Sequence, residues 1–117
     1  MENYKMYVIV RNDLKLGKGK LCAQTGHAFV NSYILYSKEK PEWIKKWLIQ
    51  GQGKIVLKVP NLEELLTYYN KINILFPCVL IKDAGKTQID PGTITCFGFG
   101  PLPETKVPNY IKKIKLL

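Results

Sequence analysis

The chain has 117 residues, 46% of them hydrophobic and 23% charged. That is a globular composition, which excludes disorder and collagen and predicts one domain, residues 1–117, with a core of its own. Lys+Arg number 18 against 9 Asp+Glu, a formal net charge of +9, so an acidic partner is expected: nucleic acid, a membrane surface or an anionic substrate.

In chain order, Met6–Val10 is short, β-branched and aromatic, and predicts a buried central strand. The glycine-rich Gly17-Lys18-Gly19 separates it from a proline-free stretch, Lys20 to about Tyr36, whose length suits a helix. On a helical projection Cys22, Gly26, Phe29, Val30 and Tyr33 share one broad face, which is expected to pack on the sheet. Pro41 opens a second helix with Trp43, Ile44, Trp47 and Leu48, since proline suits a first helical turn. Gly51-Gln52-Gly53 ends it, and Lys54–Val59 predicts the next strand. Asn61 with Glu64 three residues later is a capping-box-like start for a third helix, with Leu62, Leu65, Leu66 and Tyr69 on its apolar face. Cys78–Ile81 and Thr93–Phe99 predict two more strands. The tail from Pro101 to Leu117 predicts a short helix or turn and a last edge strand. The order β-α-α-β-α-β-β predicts an α/β fold: a three-layer α/β/α sandwich around a mixed, mainly four-stranded sheet.

Arg11 is the only arginine. This argues against DNA as a partner, because bidentate readout of bases favours arginine, and for lysine acting as a point charge on phosphate. Cys22, Cys78 and Cys96 are scattered and odd in number, so they predict neither a disulfide framework nor a metal site. A reducing compartment follows, with all three as small core residues. No apolar run reaches the length of a membrane span, and Met1–Lys5 leads directly into a strand, so a cytoplasmic protein without a membrane partner is expected.

Several familiar sites fail on inspection. Gly85-Lys86-Thr87 resembles the end of a phosphate-binding loop, but Leu80 stands where that motif needs its first glycine. Gly98-Phe99-Gly100 is followed by Pro101 and Pro103 where a dinucleotide-binding helix would open. Neither Ser32 nor Ser37 sits in a nucleophile elbow, and one histidine with three scattered cysteines makes no zinc site.

Two regions remain. Lys20, Gln24, His27 and Asn31 fall within about 60° on one side of the first helix. A solvated face would explain them, but the stripe holds the only histidine and begins at a helix N-terminus, which favours anions. Asp83 directly follows an apolar strand, at the kind of strand end where open α/β sheets bind ligands. A long polar connector follows it, for which a turn is the plain explanation. Lys15, Lys18 and Lys20, with Arg11 and Asp13, form a basic entry to the first helix, either a solvated charge run or a phosphate clamp. Trp43 and Trp47 recur at helical spacing and are read as core or dimer surface.

In register, Val10–Lys20, Ala23–Ala28, Gly51–Lys58, Asp83–Ile89, Pro91–Thr93, Gly98–Pro101 and the final Lys115-Leu116-Leu117 resemble the archaeal and eukaryotic type (type II) of peptidyl-tRNA hydrolase. That resemblance implies a three-layer α/β/α fold and hydrolysis of the ester joining a peptide to the 3′ end of tRNA. It also implies no metal or organic cofactor, tRNA as partner, and usually a homodimer. The active-site positions it implies are Lys20, His27, Asp83, Thr87 and Thr95, with Gln24 a lesser inclusion on the substrate side. Gln88 is read as substrate-binding, and Lys15, Lys18 and Lys86 are expected to hold tRNA phosphates by their charge. Some members carry an N-terminal anchor or extension, and this chain looks like the bare catalytic domain. Val107-Pro108-Asn109-Tyr110 departs from the family's tail, which puts the tail's packing and nearby dimer contacts in question.

For ester hydrolysis, Asp83 would orient or deprotonate water, while Lys20 would pair with Asp83 or hold the oxyanion. The roles compete, because a paired carboxylate is a poorer base. The alternative is a non-catalytic basic module that binds RNA.

Overall fold

Strand β1 (Tyr4–Arg11) is the centre of the molecule, and its apolar run leaves Met6, Val8 and Ile9 with no accessible surface. The computed structural model describes residues 1–84 and 92–117. The elements after β1 are α1 (Lys18–Glu39), α2 (Pro41–Ile49), β2 (Lys54–Val59), α3 (Leu62–Leu75), β3 (Cys78–Lys82), β4 (Ile94–Pro103), a 3-10 turn (Glu104–Lys106) and α4 (Asn109–Lys112). The sheet order is β2-β1-β4-β3, with β1 parallel to β2 and β4 antiparallel to both β1 and β3. The predicted order and mixed sheet are therefore present.

Strand alternation sends successive side chains to opposite faces. Tyr7, Ile9, Phe97 and Phe99 face α3 and α4, packing with Leu65, Ile72 and Ile111. Val8, Val10 and Cys96 face α1, where they meet Ala28. Met6 packs on Trp47 of α2. Helices thus cover both faces, giving the three layers. Each large side chain buried this way contributes roughly 1.5–3 kcal/mol.

Local chemistry sets the boundaries. Pro41 cannot continue α1, because it lacks the N–H that a helix interior needs, yet it fits the first turn of α2. The Asn61 side chain accepts from the backbone N–H of Glu64 at 2.9 Å, so the predicted cap forms. The tail also packs: Val107 and Ile111 are buried. Leu116 bridges antiparallel to Leu57, and the Lys58 N–H donates to the Lys115 carbonyl at 2.9 Å. The outer edge of β2 is covered there, despite the divergent Val107–Tyr110 sequence.

Two expectations are corrected. Of the predicted packed face of α1, only Phe29 packs on the core, half-buried against the Val8 and Met6 clusters; Cys22, Val30 and Tyr33 are exposed. The buried row is Gln24, Ala28, Ser32 and Tyr36, one residue per turn. Close approach explains the choice: a Cβ on Gly98 of β4 would lie 3.1 Å from the Ala28 carbonyl oxygen, so only small residues fit the crossing. The polar members of the row have partners. Ser32 Oγ donates to the Gly100 carbonyl at 2.6 Å, and Tyr36 Oη to the Pro77 carbonyl at 2.7 Å. The cysteines also divide: Cys96 is buried and Cys78 half-buried, but Cys22 is on the surface and is not a core residue.

Candidate active site

The carboxyl ends of β1, β2 and β3 lie at one end of the sheet, since β1 and β2 are parallel and β4 runs opposite to both β1 and β3. The chain leaves β1 at that end and starts α1 there, which brings the first turn of α1 beside the end of β3. Asp83 follows β3 directly. Its N–H donates to the Thr93 carbonyl, and its carbonyl accepts from the Gly92 N–H, both at 2.8 Å. The backbone under the carboxylate is therefore fixed by the approach to β4.

Lys20 and Asp83 meet. The Lys20 ammonium forms an ion pair with Asp83 Oδ2, and the carboxylate side chain has 0% of its surface accessible against 16% for the lysine. A buried carboxylate needs such a partner, because an isolated one is strongly disfavoured in a low-dielectric interior. Behind the pair lie two more buried polar groups. Gln24 Nε2 donates to the same Asp83 Oδ2 at 3.4 Å, and Thr95 Oγ1 donates to Gln24 Oε1 at 2.6 Å. The Cys96 thiol reaches the Gln24 backbone carbonyl at 3.5 Å, and burial pushes that thiol up to about 11.

In front of the pair is an open cleft of about 500 Å³ between α1 and the end of β3, lined by Lys20, Gln24, His27, Asn31 and Asp83 among others. The polar stripe of α1 thus faces the cleft, with His27 and Asn31 exposed and Gln24 turned inward. Lys82 lines the cleft too. Sequence reasoning did not single it out, and its only signal is its place immediately before Asp83. Among the described residues, then, Lys20, Gln24, His27 and Asp83 share one cleft with Thr95 behind them. Thr87, Lys86 and Gln88 lie outside the described residues.

The basic entry to α1 divides as well. Arg11 is engaged by Asp13 through two hydrogen bonds, at 2.9 and 2.8 Å. Those bonds hold the guanidinium above its usual range and the Asp13 carboxyl below its own. Arg11 is therefore committed internally and Lys20 faces Asp83, while Lys15 and Lys18 remain exposed. A lysine ammonium beside a buried carboxylate, in a cleft open to a large ligand, can hold developing negative charge on a carbonyl oxygen and orient water toward it.

A model of the family described as Peptidyl-tRNA hydrolase PTH2 matches residues 4–117. The chain is similar to the peptidyl-tRNA hydrolase of Sulfolobus acidocaldarius, 52% identical over 119 residues, covering 97% of this chain and 99% of the relative. It is also similar to those of Methanococcus vannielii, 46% identical over 115 residues with 97% and 99% covered, and Thermococcus onnurineus, 45% identical over 120 residues with both chains covered fully at 100%. The chain belongs to the peptidyl-tRNA hydrolase PTH2 family.

Proposed function

We propose that this member of the family hydrolyses the ester between a peptide and the 3′ end of tRNA, releasing free tRNA and peptide, with Lys20 and Asp83 at the centre of the reaction. The observation that carries this is the Lys20–Asp83 ion pair at the floor of an open cleft. Water adds to the ester carbonyl carbon, the bond to the ribose 3′ oxygen breaks, and the proton that the water loses ends on that oxygen. The unequal exposure of the pair divides the work. Lys20, on the solvent side, meets the carbonyl oxygen and holds its developing charge, an effect worth roughly 3–4 kcal/mol by analogy with oxyanion-hole donors. Asp83, behind it with no accessible side-chain surface, fixes the ammonium, which also orients the water.

His27 stands exposed on the same cleft and binds the substrate backbone. Thr87 acts in the reaction, as the family resemblance implies, and Gln88 in substrate binding. Lys15, Lys18 and Lys86 take the tRNA phosphates, which the net charge of +9 supports. Residues 1–117 act as one catalytic domain in the cytoplasm, as a homodimer. The dimer reading is supported by an apolar band on α1 and α2, where Val30 is 58%, Ile34 50% and Leu48 40% exposed.

Incubation with a labelled N-blocked aminoacyl-tRNA tests the reading. Release of the labelled acyl group and intact tRNA is expected. An unchanged substrate with salt-sensitive tRNA binding retained would favour the binding-module alternative.

A further inference from the structure

The hydrogen bonds behind Asp83 have a direction. A carboxylate only accepts, so the Gln24 amide must present its NH2 end to Asp83 Oδ2. That leaves the Gln24 carbonyl oxygen pointing away from the cleft and in need of a donor. Thr95 Oγ1 supplies it at 2.6 Å, a much closer approach than the 3.4 Å to the Ile81 carbonyl. Thr95 is only 1% exposed and Gln24 3%. A hydroxyl so deep, and occupied by Gln24, has no surface to offer a substrate. Without it the amide would have two poor choices. It could keep a buried, unsatisfied carbonyl oxygen, or turn that oxygen toward the carboxylate.

We propose that Thr95 is a positioning residue that acts on the reaction only through Gln24: its hydroxyl locks the amide in the orientation that holds Asp83 in place for Lys20. The inference rests on the hydrolase reading above and narrows the role of one of its residues. Gln24 is the element on which Thr95 acts, and Asp83 is the group on which Gln24 acts.

A double-mutant cycle tests it. Thr95→Val keeps the shape and removes the hydroxyl, and Thr95→Ser keeps the hydroxyl. With labelled N-blocked aminoacyl-tRNA, Thr95→Val lowers kcat about 10- to 100-fold with KM within about threefold, since a hydrogen bond in a network on a charged group is removed. Thr95→Ser stays within about threefold of wild type. In a Gln24→Leu background, Thr95→Val adds no further loss, because the residue through which it acts is gone. Losses that multiply across the two sites would overturn the proposal, as would a raised KM in Thr95→Val. A readout free of turnover separates this from the activity itself: the Gln24 side-chain NH2 signals, followed by NMR. In wild type they exchange slowly with solvent, and in Thr95→Val they exchange fast or average. Unchanged signals in folded Thr95→Val would overturn the positioning role whether or not the wild-type protein cleaves the ester. A wild-type protein that shows the slow signals but no cleavage would overturn the hydrolase reading and leave the amide lock standing.

Discussion

Asp83 is a fully buried carboxylate whose counterion, Lys20, reaches it from the solvent side: the lysine side chain keeps 16% of its surface accessible and the carboxylate 0%. The two are far apart in sequence and meet because α1 starts, and β3 ends, at the same end of the sheet. Removing the lysine takes the counterion from a buried carboxylate, so Lys20→Ala is expected to cost up to about 3–5 kcal/mol of folding stability. Urea denaturation of Lys20→Ala beside wild type measures this. A loss below about 1 kcal/mol, the range of surface pairs, would mean that the carboxylate does not depend on the lysine for its burial.

The crossing of α1 over β4 predicts a second sensitivity. A Cβ at Gly98 would sit 3.1 Å from the Ala28 carbonyl oxygen and 3.3 Å from its Cβ. Gly98→Val is therefore expected to push α1 off the sheet and destabilise the fold by roughly 1–3 kcal/mol. Because α1 carries Lys20 and Gln24, activity should fall with stability. A thermal melt indistinguishable from wild type would show that the crossing has slack.

The three thiols should differ in reactivity and in their effect at high pH. Cys22 is exposed and should react first with a thiol reagent, ahead of Cys78 and Cys96. Burial raises Cys78 from its ordinary 9.0 to about 12 and Cys96 to about 11. Burial, followed by the Glu104 charge, raises Tyr7 from 10.0 to about 12. In each case the folded protein keeps its proton to higher pH than the unfolded chain. The stability so contributed is complete below about pH 9 and is lost as pH rises toward 11 to 12. Urea midpoints across that range check the sign, and Cys78→Ala should lessen the fall. A midpoint that rises between pH 9 and 12 would contradict it.

Exposed Lys15 and Lys18 predict salt-dependent tRNA binding. Each lysine-to-alanine substitution that frees one phosphate should lower the slope of log K against log salt by roughly 0.7 to 0.9. Arg11→Ala should change it less, since that guanidinium is already engaged by Asp13. Filter binding over a salt series gives the slopes, and equal effects at Arg11 and Lys18 would contradict the assignment.

The order of elements was legible because each has a strong local signal: the apolar run of β1, Pro41 between α1 and α2, and the Asn61 cap. The orientation of α1 was not. Hydrophobicity favours Phe29, Val30 and Tyr33, but of these only Phe29 packs on the core, and the fully buried row is Gln24, Ala28, Ser32 and Tyr36. That choice depends on Gly98 and on carbonyls at Gly100 and Pro77, distant partners that no helical projection contains. The same gap explains Gln24. It stood out as one member of a polar stripe, whereas its burial between Thr95 and Asp83 follows from tertiary packing alone. Cys22 reads as core by residue type and is exposed, because the buried row of α1 runs through Gln24 and Ala28 instead.

The most direct measurement is single-turnover cleavage of labelled N-blocked aminoacyl-tRNA by Asp83→Asn, with tRNA affinity determined on the same samples. The substitution keeps the shape and removes the charge that holds Lys20. Cleavage slower by at least about 100-fold is predicted, with affinity within about threefold of wild type. Cleavage at the wild-type rate would contradict the central place given to the Lys20–Asp83 pair.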